Sequence, residues 1–204
     1  MQLGIQMLRE ASEMRVTSAL GTDLVVDLRG APCGGTADFA TTPGAVAHWP
    51  GELCLAFPGQ NAVNGRIVMG VWDMNLTFKT HLTSQIDVTV ESDFVTAIKG
   101  DGIDALHFRE YMEAWDDRNA FGMSHVGWGM HPGARCVSAA MYDKRDMQAV
   151  EFRALSGSFL WSSGANQYAG RCTLGHFDLP ICNGTIALDG RVVVKGGALQ
   201  GELA

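Results

Sequence analysis

The chain has 204 residues, of which 47% are hydrophobic and 18% are charged. This composition excludes a disordered low-complexity protein and suits a single domain over residues 1–204. The formal net charge of −7 argues against a nucleic-acid partner, which needs clustered basic residues. No apolar run approaches the roughly 20 residues of a membrane span, and no secretory signal is visible, so we expect a cytoplasmic protein with reduced cysteines.

The first third of the chain predicts a helix, a hairpin and a long loop. Apolar residues recur at helical spacing from Leu3 to Met14. Two β-branched runs then flank Gly21-Thr22, a combination that predicts a hairpin. Residues 31–51 show no periodicity and are rich in Gly, Pro and Thr. Because long loops inside compact domains are usually functional, this segment is a candidate part of a site.

The remainder predicts mostly strands. Ser92-Asp93 and Asp189-Gly190 are expected to form tight turns. Two helices are predicted at residues 102–115 and 143–155. The predicted strands read ELCLAF, GRIVMGVW, IDVTVES, FVTAIKG, GSFLW, GRCTLGHFD, GTIALDG and RVVVKGG. The sum is an α+β fold, mostly antiparallel sheet with about three helices, without a Rossmann fingerprint or a P-loop.

The most informative polar pattern is the sequence LGHFDLP. His176 and Asp178 are two residues apart, so on a strand they point to the same face, close enough to ligate one metal ion. A hydrogen-bonded polar pair at a strand end is the alternative interpretation. Gly175 and Pro180 flank the pair, which favours a functional site because they indicate a bend or a close approach of the backbone.

A second histidine would complete a set of two histidines and one carboxylate. Such a triad leaves coordination positions open and favours Fe(II). The segment MSHVGWGMHPGA offers His125 and His131. On a strand His125 would share a face with Met123 and Gly127, which leaves room for a ligand. His131 precedes a proline and is expected in a turn. There its ring would either be solvated or contact a metal-ligating residue.

The long loop and the segment WSSGANQYAGR supply further candidates. His48 is a natural general base at neutral pH. Glu52 is a metal ligand, a partner that orients a ligating histidine, or an exposed acid; we predict that it contacts substrate, and Asp38 is a weaker candidate. The segment offers a polar set suited to holding a small polar ring, with a polar hairpin loop as the alternative: Ser162, Ser163, Asn166, Tyr168 and Arg171. Of these, Ser163 and Asn166 are predicted to bind the ring.

These motifs together resemble the catalytic C-terminal part of the 2,5-dihydroxypyridine 5,6-dioxygenases. The resemblance is carried by RVTSALGTDLVVDLRG, WPGEL, SHVGWGMHPGAR and GSFLWSSGANQYAGRCTLGHFDLP. These are mononuclear non-haem iron enzymes of nicotinate and nicotine degradation, distantly related to thermophilic metal-dependent aminopeptidases. The family also has an N-terminal α/β region that this sequence lacks.

The resemblance implies Fe(II) ligands at His125, His176 and Asp178 and a histidine on the substrate side at His48. It implies cleavage of the C5–C6 bond of 2,5-dihydroxypyridine with O2 to N-formylmaleamic acid. It also implies a closed homo-oligomer, a hexamer.

Two other functions stay open at this point. One is a peptidase that holds zinc or cobalt through Glu52, His176 and Asp178. The other is a catalytically silent domain that binds a small aromatic compound.

Overall fold

The computed structural model describes all residues from 1 to 204 and confirms the α+β class. The four α-helices are α1 (Gln2–Glu10), α2 (Ile103–Glu113), α3 (Ser138–Met141) and α4 (Val150–Ala154), and single turns of 3-10 helix lie at Arg118–Phe121, Gln167–Ala169 and Gly201–Leu203. The strands are β1 (Glu13–Thr17), β2 (Asp23–Asp27), β3 (Cys33–Thr36), β4 (Leu53–Ala56), β5 (Val63–Met69), β6 (Met74–Asn75), β7 (Thr80–His81), β8 (Ile86–Glu91), β9 (Phe94–Lys99), β10 (Met123–Gly129), β11 (Phe159–Asn166), β12 (Arg171–Ile181), β13 (Thr185–Leu188), β14 (Arg191–Lys195) and β15 (Ala198–Leu199). None of the helices has the length and hydropathy that a membrane span requires.

The strands form two large antiparallel sheets and one small one. The eight-stranded sheet has the order β15-β14-β13-β1-β2-β5-β8-β9, the five-stranded sheet has the order β12-β11-β10-β4-β3, and β6 pairs with β7. Side chains of both large sheets belong to one hydrophobic cluster, with Val16 and Val88 from the first sheet and Trp128, Trp161 and Phe177 from the second. The five-stranded sheet therefore has one face in this cluster. Its other face is covered in part by a second cluster of eight buried residues, which includes Leu53, Leu55 and Leu160.

Both predicted tight turns are confirmed, and their backbone angles explain the residues found there. Ser92 and Asp93 have φ values of 47° and 74°, and Asp189 and Gly190 have 46° and 82°. Positive φ at both central residues is the requirement of the two-residue turn that matches the twist of a hairpin. Aspartate and glycine adopt it more readily than most residues do.

The first helix is shorter than predicted. It ends at Glu10, and Met14 lies in β1 with its side chain fully buried. The carboxylate of Asp189 accepts hydrogen bonds from the backbone N–H groups of Ser12, at 3.0 Å, and Glu13, at 2.9 Å. These N–H groups are bound by a distant turn, so they do not continue the helical ladder.

The predicted helix over residues 143–155 was wrong for its first half. Only α4 is helical there, while Asp143 and Asp146 lie in a turn. The Asp143 carboxylate accepts a hydrogen bond of 2.8 Å from the backbone N–H of Arg145. Such local side-chain bonds offer the backbone an alternative to the helix, which amphipathic spacing does not register.

A buried ion pair joins the ends of the two sheets. The Arg171 guanidinium lies 3.2 Å from the carboxylate of Asp93, and both side chains are almost completely buried. The same carboxylate accepts hydrogen bonds of 2.6–2.8 Å from the backbone N–H groups of Asn61, Ala62 and Val63. Arg171, one of the polar residues of WSSGANQYAGR, therefore has a structural position.

Candidate metal centre

Three neighbouring strands of the five-stranded sheet place polar residues in one row. His125 on β10 pairs with Ser162 on β11, and Ser162 pairs with Asp178 on β12. Adjacent strands lie about 4.8 Å apart, so the side chains at the two ends of the row meet over the small serine between them. The predicted strand around His125 is confirmed.

A β-bulge at Ser124 turns His125 towards this row. The register between β10 and β11 shifts between Met123 and His125. As a result Met123 and Val126 both face the hydrophobic core, although they are three positions apart and would lie on opposite faces of a regular strand. The expectation that His125 shares a face with Met123 was wrong, because one inserted residue reverses the alternation. Without the bulge His125 would point to the side of the core.

The predicted common face of His176 and Asp178 is confirmed. The Nε2 atoms of His176 and His125 lie 3.2 Å and 3.5 Å from Oδ1 of Asp178. The candidate ligand atoms of the three residues all lie within 4.8 Å of one another, and they form the one such group of His, Cys, Asp or Glu in the chain. Phe177 points the other way, into the core.

Hydrogen bonds assign one tautomer to His125. The Ser124 hydroxyl donates to the backbone oxygen of Ala165 at 2.6 Å, so its oxygen is left to accept from Nδ1 of His125 at 3.2 Å. A proton on Nδ1 leaves the lone pair of Nε2 directed at Asp178 and His176. An imidazole held in this way is suited to ligate a metal.

The environment favours the protonation states that a metal needs at His125 and Asp178, but not at His176. Burial lowers the pKa of His125 to about 4, so this ring is neutral at pH 7. Burial disfavours the charged form of Asp178, but the hydrogen bond from His176 and the neighbouring imidazoles outweigh it and hold the pKa of this carboxyl below its usual range. The hydrogen bond to Asp178 raises the pKa of His176.

Two residues at this site were not among the predicted site residues. The Ser162 hydroxyl donates to Oδ1 of Asp178 and lies 2.9 Å from Nε2 of His125. Nη1 of Arg153, on α4, lies 3.4 Å from the other carboxylate oxygen. No local sequence pattern connects Arg153 to Asp178, but the alternation of β11 could have identified Ser162.

The residues present fit a metal ion. Two imidazole nitrogens and one carboxylate oxygen converge on one side of the sheet. The Ser162 hydroxyl donates its proton to Asp178, so it has no hydrogen to offer to the buried Nε2 atom of His125 beside it. The lone pair of that nitrogen is therefore without a donor. A cation between these acceptors would satisfy them together. Cysteine is absent from the group, as expected for a site that is not structural zinc.

His48 is not part of the group of ligand atoms, and none of the triad residues lines the cavities beside it. It is exposed, and it lines a small cavity together with Arg153, the residue that contacts Asp178. It also lines a larger cavity of about 650 Å³, whose wall includes Trp49 and His131. That volume lies within the usual range for small-molecule sites.

The structure does not bring Glu52 into the group of ligand atoms. Its backbone is held in the left-handed region, with φ of 59°, by hydrogen bonds to Thr36 and Met130, and its carboxylate has no hydrogen bond or ion pair. The ligand set of the peptidase alternative, with Glu52 beside His176 and Asp178, is therefore not assembled.

Asp38 and His131 hold the long loop in place. The Asp38 carboxylate accepts a hydrogen bond from the N–H of Gly51 and lies 3.9 Å from Nε2 of His131. The His131 ring packs edge-on against Trp49, with centroids 5.1 Å apart. His131 is buried, so of the two alternatives expected for it the solvated ring was wrong. Its contacts are with Asp38 and Trp49, neither of which belongs to the triad.

Ser163 and Asn166 lie away from the triad. The Ser163 hydroxyl is fully buried and donates to Sδ of Met112 at 3.7 Å, on the core side of β11. The Asn166 amide donates to the backbone oxygen of Pro58, and its oxygen accepts from the N–H of Tyr168 at 3.1 Å. Both side chains are used inside the fold, and neither is placed where it would meet a ligand on the triad.

Known proteins share the sequence and the fold that carry this triad. A profile of the family NicX, 2,5-dihydroxypyridine 5,6-dioxygenase, matches residues 1–201. The chain belongs to this family. A curated 2,5-dihydroxypyridine 5,6-dioxygenase from Pseudomonas putida KT2440 is 34% identical over 193 residues, which are 94% of this chain and 55% of the relative.

Solved structures agree with this family. The structure of 2,5-dihydroxypyridine dioxygenase from Pseudomonas putida KT2440 matches with a TM-score of 0.92 and 32% identity, over 98% of this chain and 59% of that one. AmpT from Thermus thermophilus matches with a TM-score of 0.69 and 15% identity, over 98% and 53% of the two chains, and at that identity it shows the fold alone. This chain thus spans a little over half the length of its dioxygenase relatives. The family resemblance predicted from the motifs is confirmed.

Proposed function

We propose that this chain is the metal-holding part of an Fe(II)-dependent dioxygenase that cleaves the C5–C6 bond of 2,5-dihydroxypyridine. The product would be N-formylmaleamic acid. The observation that carries the proposal is the convergence of His125, His176 and Asp178 within 4.8 Å, in a member of the 2,5-dihydroxypyridine 5,6-dioxygenase family.

The donor set supports iron over the other common metals. Two imidazoles and one carboxylate on one side of an ion leave several positions open, which is the arrangement typical of non-haem Fe(II) oxygenases. When bound, Fe(II) would supply the redox chemistry that couples the electron-rich ring to O2. Closed zinc sites use four nitrogen or sulfur ligands instead.

The protein's own residues would hold this ion ready at neutral pH. His125 is neutral because burial lowers its pKa to about 4, and Ser124 keeps its Nε2 lone pair turned to the site. Asp178 is ionised and supplies negative charge. Arg153, 3.4 Å from Asp178, limits the rotation of the carboxylate and adds a positive charge that suits an ionised hydroxyl of the substrate.

His48 is proposed as the proton acceptor for the substrate hydroxyl. It is exposed and lines both the 650 Å³ cavity and the small cavity that Arg153 shares. A ring in the larger cavity would lie against His48, and the small cavity that His48 shares with Arg153 leads towards the residue that contacts Asp178. A histidine imidazole is the side chain best suited to act as a general base at neutral pH.

The test separates iron retention from turnover. The protein is loaded anaerobically with Fe(II), its iron content is measured, and oxygen uptake is followed with 2,5-dihydroxypyridine. His176→Ala and Asp178→Ala should lose iron and turnover together, and His48→Ala should keep iron while turnover falls. His107→Ala, an exposed histidine on α2, is the matched control and should change neither. Full activity of Asp178→Ala, or peptide hydrolysis with zinc or cobalt without oxygen uptake, would refute the proposal.

The assembly state and location proposed with this function come from the resemblance and the sequence. We expect a closed homo-oligomer, a hexamer, and a cytoplasmic location. Light scattering of the purified protein tests the first expectation, and a monomer over a wide concentration range would contradict it.

A further inference from the structure

A second cluster of reactive side chains lies apart from the triad and involves two of the five cysteines. Cys136 lies in the segment between β10 and α3, and Cys182 directly follows β12. The His81 ring lies between Cys136 and Trp72. Its Nε2 is 3.4 Å from the backbone oxygen of Cys136, and its Nδ1 is 3.2 Å from the backbone oxygen of Trp72. The Cys182 thiol donates to the same Trp72 oxygen at 3.7 Å.

The two thiols are unequal. Their contact with each other is the largest influence on both, and it lowers the pKa of Cys136 while it raises the pKa of Cys182. His81 also lowers the pKa of Cys136, whereas the Asp73 carboxylate opposes ionisation of both thiols. The thiolate is the reactive form of cysteine, so Cys136 is the nucleophile of the pair and Cys182 remains a thiol.

The other three cysteines have no such arrangement. Cys54 is buried in the core, and burial raises its pKa to about 12. Burial also raises the pKa of Cys33. Cys172 is exposed, and its thiol makes no hydrogen bond. Cys136 and Cys182 form the one pair in which both thiols are partly exposed and contact each other.

We propose that Cys136 and Cys182 are a redox site that closes to an intramolecular disulfide on reaction with hydrogen peroxide. The Cys136 thiolate attacks one peroxide oxygen, and the O–O bond breaks with release of hydroxide, which gives a sulfenic acid. The Cys182 sulfur then attacks the Cys136 sulfur, the S–O bond breaks, and water leaves. In sum two thiols and one peroxide give one disulfide and two waters, so the two sulfurs are oxidised by two electrons and the peroxide is reduced.

The position of the pair gives the bond a consequence for the fold. The segment that carries Cys136 forms much of the wall of the 650 Å³ cavity, with Arg135, Val137 and Ser138. Cys182 lies four residues after Asp178, at the end of the strand that carries two of the triad residues. A disulfide would therefore tie the wall of the cavity to β12.

The experiment treats the full chain with a small excess of hydrogen peroxide, alkylates the remaining thiols, and maps the disulfide by peptide mass spectrometry. We expect a Cys136–Cys182 disulfide in the wild type and in the Cys172→Ser control, reversed by dithiothreitol, and none in Cys136→Ser or Cys182→Ser. Dimedone, which traps sulfenic acid, should label Cys136 in Cys182→Ser and should not label Cys182 in Cys136→Ser.

Two results would overturn the proposal. One is a wild-type protein in which both thiols stay alkylatable after peroxide, and the other is dimedone labelling of Cys182 rather than Cys136. A rate measurement on the unmodified wild type keeps the test independent of the variants. Iodoacetamide at neutral pH should label Cys136 at least tenfold faster than Cys182, and equal rates would contradict the assignment of the nucleophile.

Discussion

Acidification should weaken metal binding through one imidazole rather than two. A metal ion can bind a histidine only after its proton has left. The pKa of His176 lies above its ordinary value of 6.5, since it donates to Asp178, whereas burial lowers the pKa of His125 to about 4. Between these two values His176 is protonated and His125 is neutral, and Asp178 stays ionised throughout because its pKa lies below its usual range.

The magnitude follows from this count of protons. Between about pH 5 and about pH 6 each metal displaces one proton, so the affinity should fall tenfold per pH unit, or about 1.4 kcal/mol. Above the pKa of His176 the affinity should level off. Two histidines with ordinary pKa values would instead give a fall approaching a hundredfold per unit under the same acidic conditions.

Competition with a chromophoric chelator measures the affinity at each pH, under anaerobic conditions with Fe(II). Calorimetry in buffers of different ionisation enthalpy counts the protons released. A slope of one and one proton released at acidic pH are the expected results. A slope of two, or two protons released, would show that His125 is not held neutral by burial and that the reasoning from its environment is wrong.

Three further predictions concern the surroundings of the site. Phe177→Ala should lower the free energy of unfolding by about 3–5 kcal/mol, because the ring is fully buried. The control is Leu174→Ala on the same strand, where the side chain is 88% exposed and the loss should be less than about 0.5 kcal/mol. Equal losses of stability in urea unfolding would contradict the assigned faces. Arg171→Met should lower the free energy of unfolding by about 3–5 kcal/mol, because it leaves the carboxylate of Asp93 buried without its cation. If the double variant Arg171→Met, Asp93→Asn is no more stable than Arg171→Met alone, this cause is wrong. Ser162→Ala should weaken iron binding about 10- to 100-fold in the chelator competition, and an unchanged affinity would mean that the hydroxyl does not orient the triad.

Much of the fold was accessible from local sequence patterns. The turns at residues 92–93 and 189–190 were predictable because few residues tolerate positive φ at two successive positions. The shared face of His176 and Asp178 followed from the two-residue period of a strand. Such features depend on the chemistry of neighbouring residues, so a single sequence contains them.

Features that depend on pairing were not accessible in the same way. The bulge at Ser124 reverses the face of His125, and only the register of β10 against β11 reveals it. The prediction of Ser163 rather than Ser162 as a contact residue was wrong for a different reason. Phe159 and Trp161 share the odd positions of β11 with Ser163, and two large aromatic residues at that spacing indicate the core face, so the sequence itself contains this signal.

Long-range contacts were the hardest to predict. Arg153 reaches Asp178 from a helix 25 residues away in the chain, and spacing alone does not connect a short helix with an outer strand of a sheet. The loop that carries His48 has no periodicity, so its path beside Arg153 depends on contacts such as the one between Asp38 and His131. Neither contact has a local sequence signature.

The central claim is that three side chains hold one metal ion, and His125 is the residue that distinguishes this set from the peptidase alternative. The most direct test is the anaerobic binding of Fe(II) to the wild type and to His125→Ala, with bound iron measured by atomic absorption after gel filtration. We predict one iron per chain in the wild type and none retained by the variant. Wild-type iron content in His125→Ala would contradict the account.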